Sequence, residues 1–210
     1  MASNLFVFGA SGHAKVVIDI LERMKGVKVA FVVDDAARAR GTKLCGYAVI
    51  GGRDALLANR RKVKAGIVAI GDNNARARVA AWLADEGFRS ATAVHPAAVI
   101  ARGAQIGDGA TVMAGAVINT DARIGAHAII NTGATVDHDC SIGDCVHIAP
   151  GCHLCGGVSV GAGALLGAGT TVIPGVRVGA NTIIGAGSTI VQDVPDGARM
   201  AGSPCRPITS

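Results

Sequence analysis

The chain has 210 residues, half of them apolar, a formal net charge of +5 and only 3% aromatic residues. That length holds one large domain or two small ones with ample apolar surface to bury. Scarce aromatics, and cations that gather only at Arg60-Arg61-Lys62-Val63-Lys64, argue against a nucleic-acid binder of the base-stacking kind and suit small anionic molecules instead. No apolar stretch approaches the roughly 20 residues that a membrane-spanning helix needs. Met1 to Val7 carry no charged and apolar leader, so no membrane contact is expected and the predicted compartment is the cytoplasm.

Residues 1–95 alternate short apolar runs with helical patterns. Leu5 to Phe8 reads as a buried strand, Ala14 to Met24 as an amphipathic helix and Val29 to Val33 as a second strand. Gly66 to Ile70 reads as a third strand, Ala75 to Glu86 as a helix and Thr92 to Val94 as a closing strand. Strand and helix in alternation imply an α/β domain built on a small parallel, Rossmann-like sheet. Gly9-Ala10-Ser11-Gly12-His13 follows the first strand and opens the first helix, where backbone N–H groups and the helix dipole favour an anion. It departs from G-x-G-x-x-G, which weighs against a redox dinucleotide. Asp34 and Asp35 end the second strand, and Gly71-Asp72-Asn73-Asn74 follows the third. Each of these three is a turn or cap taken singly; together, at the carboxyl ends of adjacent strands, they outline a nucleotide-sugar pocket.

His95-Pro96 marks the boundary, because proline biases its predecessor to extended geometry and a six-residue period starts at once. From Ile100 through Val136 and Leu154 to Ile190, sixteen positions six apart are all Val, Ile or Leu. Such a repeat cannot bury its apolar row alone and must stack on its neighbours. Six residues per flat side and three sides per turn give an 18-residue triangular coil, a parallel β-helix of about five coils over residues 96–191. The aliphatic residues point to the axis, and the Gly that often follows them relieves the corner. Residues 192–210, with Pro195, Pro204 and Pro207, read as a tail that packs on the last coils.

His138 lies two places after axial Val136 and so faces outward, between Asp137 and Asp139. An exposed imidazole beside a carboxylate is poised to act as a general base; a lone surface histidine would be idle. Gly156 holds the same register 18 residues later, directly above or below His138, at about the 4.8 Å spacing of adjacent strands. Its N–H is placed to bind an oxyanion formed next to that base. Of the six cysteines, Cys152-x2-Cys155 with nearby histidines could hold zinc, but residues three apart on one side and corner point in different directions. Reduced structural thiols are the expectation, with no metal.

At this point the chain resembles a known family. Phe8 to His13, Val33-Asp34-Asp35, Ala69 to Asn73, His95 to Ala98, Ile130 to Gly133, Val136 to Cys140 and Gly202-Ser203-Pro204 are similar to the bacterial sugar acetyltransferases of the hexapeptide class. These include sialic-acid O-acetyltransferase-like proteins, UDP-4-amino-sugar N-acetyltransferases and GDP-perosamine N-acetyltransferases. The resemblance implies a left-handed β-helix, a homotrimer and acetyl-CoA bound between subunits. It implies that His138 deprotonates the sugar amine, that Asp139 orients it, and that Gly156 N–H holds the thioester oxygen. Asn131 would contact the sugar, and Gly9, Ser11, Gly12, His13, Asp34, Asp35, Gly71, Asn73 and Arg76 would hold the nucleotide. His147, Gly156, Gly157, Ala168 and Pro174 would line the acetyl-CoA site. The implied reaction is acetylation of the 4-amino group of a UDP- or GDP-linked 4-amino-4,6-dideoxyhexose for a surface glycan. O-acetylation of sialic acid is the nearest alternative, with a zinc hydrase on the same kind of helix and a silent binding module as rivals from other classes.

Overall fold

The computed structural model describes residues 3–36 and 39–208. The chain divides into two compact units, Met1–Pro96 and Ala97–Ser210. Among the described residues no helix is long and apolar enough to cross a membrane.

The first unit runs β1 (Ser3–Phe8), α1 (Gly12–Arg23), β2 (Val27–Val33), a small hairpin β3 (Lys43–Leu44) and β4 (Tyr47–Ala48), α2 (Arg53–Ala58), β5 (Ala65–Val68), α3 (Asn73–Asp85) and β6 (Arg89–Ser90). The sheet has the order β2-β1-β5-β6 with every pair parallel. β1 is central, which is why Leu5, Phe6, Val7 and Phe8 form an unbroken apolar run instead of alternating: both faces are covered. On one face Phe6, Phe8, Phe31, Leu56, Leu83 and Phe88 form the core, with Phe6 and Phe88 edge to face at 5.3 Å. α1 buries Val17, Ile18, Ile20 and Leu21. The expected closing strand over Thr92 to Val94 is displaced. Arg89–Ser90 pairs with Ala65 and Gly66 to complete the sheet, whereas Ala93–Val94 lies outside it. Arg89 and Ser90 carry no strand propensity, and the pairing surface offered by β5 overrides that deficit.

In the second unit each flat side is a two-residue strand whose second member is the axial residue. Axial residues pair at 18-residue intervals, Ile118 with Val136, Val136 with Leu154 and Leu154 with Val172, and so along all three faces. From Val112 to Ile190 every axial side chain is buried, each stabilising the stack by about 1.5 to 3 kcal/mol. One face carries six strands, so the solenoid has about six coils, one more than the spacing suggested. The segment read as a tail extends the other two faces. Val194 follows Ile190 by four residues, bridges Val178, and is followed six residues later by Met200, which pairs with Ile184. Two residues are missing from one corner and the period resumes. Arg206–Pro207 then turns back antiparallel onto Met200–Ala201.

The corners correct the expected role of glycine. The left-handed residue stands three places after each axial one, from Gly103 to Gly187. It is Gly at ten of those fifteen positions and Asp121, His127, Asp139, Cys145 and Asn181 at the others. The Gly that directly follows the axial residue is needed for a different reason, close backbone approach. A Cβ on Gly161 would lie 2.4 Å from the Ala180 nitrogen, and one on Gly143 would lie 2.6 Å from that of Ala162. We expect Gly161→Ala to destabilise the unit by about 3 kcal/mol or more, since backbone cannot move aside. Gly187→Ala, where nothing lies within 4 Å and only the positive φ resists, should cost about 1 kcal/mol. Denaturant unfolding of the two variants side by side checks the order.

Candidate active site

The corner after strand Thr135–Val136 gathers a small polar network. His138 Nδ1 donates to Asp139 Oδ2 at 2.8 Å. A carboxylate only accepts, so the ring proton sits on Nδ1 and Nε2 keeps its lone pair. Asp137 Oδ1 accepts from the His138 backbone N–H and from Asn119 Nδ2, both at 2.8 Å. Asn119 is 18 residues before Asp137, one coil away on the same edge, and ties the loop to its neighbour. The Asp139 hydrogen bond first, and the Asp137 charge second, raise the pKa of the His138 imidazole above its ordinary value; burial works weakly the other way. Asp137 in turn is held below the usual carboxylate range by its backbone and Asn119 donors. Asp139 occupies a left-handed corner, φ 59°, where most equivalents are Gly. A non-glycine residue there carries strain of about 1 to 2 kcal/mol, and Asp tolerates it better than most.

Gly156 stacks on His138 as the spacing predicts. A Cβ built there would lie 2.6 Å from both Cε1 and Nε2 of the imidazole. The free ring nitrogen therefore rests against a residue that only glycine can occupy without displacing the ring. Gly157 N–H donates to the His138 carbonyl and Gly175 N–H to that of Gly156, which aligns His138, Gly156 and Pro174 in one column on this edge. Among the described residues the Gly156 N–H has no protein acceptor, and it points to no strand partner. Ile173 and Val191 leave aliphatic surface exposed on the same edge, at 37% and 41%.

Asn131 and His147 meet on the preceding edge, with Asn131 Nδ2 3.1 Å from His147 Nε2. Asn131 Oδ1 accepts from the Thr132 N–H, which fixes the amide orientation, makes Nε2 of His147 the acceptor and leaves its proton on Nδ1. Ala168 stands two coils further along that edge, accepting from Gly187 N–H. Within one chain, then, the residues of the expected acetyl-CoA site fall on two successive edges with a flat face between them.

In the first unit the expected residues gather at the carboxyl ends of the strands but divide by role. Asp34 clamps the loop after β1, Oδ2 accepting from Ala10 N–H at 2.7 Å and Oδ1 from Ala36 N–H at 2.8 Å. Gly9 has φ 121°, and its absent Cβ would lie 2.6 Å from the Ala69 carbonyl oxygen, so glycine there is a packing requirement. Ser11 stands at the N-cap of α1 with no side-chain cap bond, and Gly12 begins the helix with open space around its Cα. Arg76 departs from the expectation of ligand contact. It is 1% exposed, and its guanidinium donates to the Ile70 and Gly71 carbonyls and to Asn73 Oδ1. It braces the turn that presents Gly71 and Asn73. His13 is pushed down to about 4 by burial and then by the Arg76 charge, so it is neutral at neutral pH. Asp35 instead faces open space. It accepts from Arg53 N–H and Nε, each at 3.2 Å, and Arg53 lies 4.7 Å over the Trp82 ring. Asp35 and Arg53 border a cavity of about 230 Å³ floored by Phe8, Ile70 and Val79. Arg53 escaped the sequence reading because α2 has only six residues and no periodic signature, and Trp82 lies on the predicted α3 without having been singled out. Asn119 could have been found by counting back 18 residues from Asp137.

None of the six cysteines is in a disulfide. Cys152 is fully buried and its thiol donates to the Gly167 carbonyl at 3.1 Å. Burial pushes the Cys140 and Cys152 thiols up. Among the described residues no group of three or more metal-ligating side chains converges.

The PglD N-terminal domain family matches residues 4–83, and the bacterial transferase hexapeptide family matches residues 103–138, 139–174 and 157–192. No curated protein matches the chain. Solved structures do. GDP-perosamine N-acetyltransferase from Caulobacter crescentus, in complex with CoA and GDP-perosamine, is 43% identical over 100% of this chain and 98% of its own, with a TM-score of 0.94; that match is a variant with one histidine replaced by alanine. The acetyltransferase domain of PglB from Neisseria gonorrhoeae, in complex with acetyl coenzyme A, is 35% identical over 99% and 100%, with a TM-score of 0.91. WeeI from Acinetobacter baumannii AYE is 26% identical over 98% and 100%, with a TM-score of 0.85.

Two titrations follow from this geometry. Asp139→Asn should lower the His138 pKa back toward the ordinary imidazole value, read by NMR of the ring protons, while His13 stays neutral across the neutral range. For His13 the folded pKa lies below the unfolded one, so the unfolded chain takes up the proton first. Stability should fall as pH drops from about 6.5 towards about 4, and the slope of melting temperature against pH should flatten in His13→Asn.

Proposed function

We propose, since the chain belongs to the bacterial sugar N-acetyltransferases that join a PglD N-terminal domain to hexapeptide repeats, that it moves the acetyl group of acetyl-CoA to the 4-amino group of a nucleotide-linked 4-amino-4,6-dideoxyhexose. The observation that carries this reading is the His138 imidazole, its Nδ1 tied to Asp139 and its Nε2 lying against Gly156. The Caulobacter relative binds CoA and GDP-perosamine, a substrate of that class.

The amine nitrogen attacks the thioester carbonyl and a C–N bond forms. His138 Nε2 takes the proton the nitrogen sheds. The carbonyl oxygen becomes an oxyanion, for which the Gly156 N–H is a donor fixed in advance. Collapse breaks the C–S bond, and the CoA sulfur leaves with the proton carried by His138. Asp139 holds the ring in the tautomer this requires. Burial raises the Cys140 and Cys152 thiols above their ordinary pKa, which weighs against either as a covalent acyl carrier.

Asn131 is assigned to the sugar, His147, Gly157, Ala168 and Pro174 to acetyl-CoA, and Ser11, Gly12, Gly71, Asn73 and Asp35 to the nucleotide. Asp34 would line that nucleotide site while holding its loops, and Gly9, His13 and Arg76 would shape it from behind. The two edges holding these groups, and the aliphatic surface at Ile173 and Val191 beside His138, support a homotrimer in which an edge of one subunit meets the next. We place the enzyme in the cytoplasm, in the synthesis of a surface glycan.

Thiol release from acetyl-CoA with UDP- and GDP-linked 4-amino-4,6-dideoxyhexoses tests the reaction. His138→Ala should cut turnover by roughly 10² to 10⁴; a near-wild-type rate would remove His138 from the chemistry. Because His138 must be unprotonated to act, its raised pKa sets the acidic limb of the rate profile above the ordinary imidazole range, and Asp139→Asn should shift that limb to lower pH. Co-expression of His138→Ala with Asn131→Ala should restore part of the activity that each lacks alone, if sites form across subunits.

A further inference from the structure

We propose that Cys140 is a positioning residue for the oxyanion donor: its buried thiol donates to the Cys155 carbonyl and so fixes the peptide whose other end is the Gly156 N–H. The inference rests on the acetyl-transfer reading above and adds what holds that N–H in place.

The Cys155 carbonyl and the Gly156 N–H belong to one peptide group. A trans peptide is planar, so its C=O and N–H point opposite ways, and whatever fixes one fixes the other. Cys140 is 1% exposed, and its Sγ lies 3.2 Å from the Cys155 oxygen. Among the described residues no backbone N–H donates to that oxygen, which leaves the thiol as its donor. With the carbonyl held against the buried thiol, the N–H is turned away from the core. Flanking bonds keep the neighbouring peptides still: Cys155 N–H donates to the Val172 carbonyl, and the Gly156 carbonyl accepts from Gly175 N–H. Burial pushes the Cys140 thiol up, which keeps it protonated and able to donate at neutral pH.

The repeat makes this contact available. Cys140 stands two places before axial Ile142. In the same register Cys152 donates to the Gly167 carbonyl at 3.1 Å, and Thr170 makes the longer of its two bonds to the Gly185 carbonyl at 3.5 Å, in each case fifteen residues on. A donor in this register thus reaches the carbonyl of the residue that follows an axial one. Other members of the register, such as Ala122, Ala134, Val146 and Val158, carry no donor. One is supplied at the coil whose peptide ends in Gly156. A hydrogen bond on the carbonyl also polarises the peptide and strengthens its N–H as a donor, by about 10 to 30%.

Two measurements test this on the full chain. The infrared S–H stretch, taken as wild type minus Cys140→Ser, reads the bond itself: a band lowered from the free-thiol frequency is expected, and a free-thiol band would overturn the proposal. Kinetics read its effect, as thiol release from acetyl-CoA with the amine substrates above. Removing an oxyanion donor costs about 10² to 10³ in kcat, so losing only its orientation in Cys140→Ala or Cys140→Val should cost less, about tenfold. KM for acetyl-CoA should stay within about twofold, since the donor acts in the transition state. The acidic limb of the rate profile should not move, because His138 and Asp139 are untouched. Cys140→Ser keeps a donor and should be faster than Cys140→Val, which only fills the space. A wild-type rate in Cys140→Val, or one above that of Cys140→Ser, would assign the thiol to packing and overturn the proposal. A shifted acidic limb would place its effect on His138 and do the same. Should the wild-type chain release no thiol with any amine, the acetyl-transfer reading fails and takes the kinetic half of this one with it, while the infrared band still decides whether the thiol holds the peptide.

Discussion

Stacking at an interval of 18 residues is the constraint on which the second unit depends. Each axial aliphatic residue packs on the one above and below, Val136 on Ile118 and Leu154, and none can be buried by its own coil. The same interval that builds the core also sets the outward-facing columns. His138 meets Gly156 because Val136 meets Leu154, so the relation between the proposed base and the proposed oxyanion donor is inherited from the packing of apolar residues on the axis. An insertion of one residue between positions 139 and 153 would leave a foldable repeat in much of the chain and still separate the two groups. Where the register does change, between Ile190 and Val194, it does so beyond the site.

Corner chemistry then determines what each column can do. A left-handed residue every six positions is a steric demand that glycine meets most easily, and ten of fifteen corners use it. Asp139 is one of the exceptions, and its side chain is the partner of the imidazole. The strain of an L-residue in that conformation is offset locally by a charge-assisted hydrogen bond, while Asn119 and Asp137 fix the preceding residue across the coil boundary. His138 is exposed yet its tautomer and pKa are defined by neighbours whose own geometry is backbone-determined. An exposed residue on a solenoid can thus be as well positioned as one in a cleft.

The solenoid was legible residue by residue because its signal is periodic and each period is enforced by burial. The stacking of His138 on Gly156 followed from counting alone. Two kinds of feature were not legible. Pairing without propensity, as at Arg89–Ser90, depends on the edge that β5 offers and leaves no local mark. The short helix that delivers Arg53 has too few residues to show a period. Within the proposed nucleotide cleft, sequence position identified the loops at the strand ends but could not separate side chains that face the cavity from those that hold the loops. Arg76 has the charge expected of a ligand contact, yet it is buried and its guanidinium donates to carbonyls and Asn73 of the chain itself. Only burial and partner geometry distinguish it from Asp35.

The shortened final coil has a consequence for solubility. A parallel solenoid presents, at its last rung, a ledge of unpaired N–H and C=O groups that would template addition of another chain, as any open sheet edge does. Here Arg206–Pro207 folds back antiparallel over Met200–Ala201, using that ledge internally and placing a proline, which has no N–H to offer, at its rim. The reversal of chain direction acts as a terminator: it lets a repeat that could in principle continue indefinitely end as a discrete, non-polymerising body.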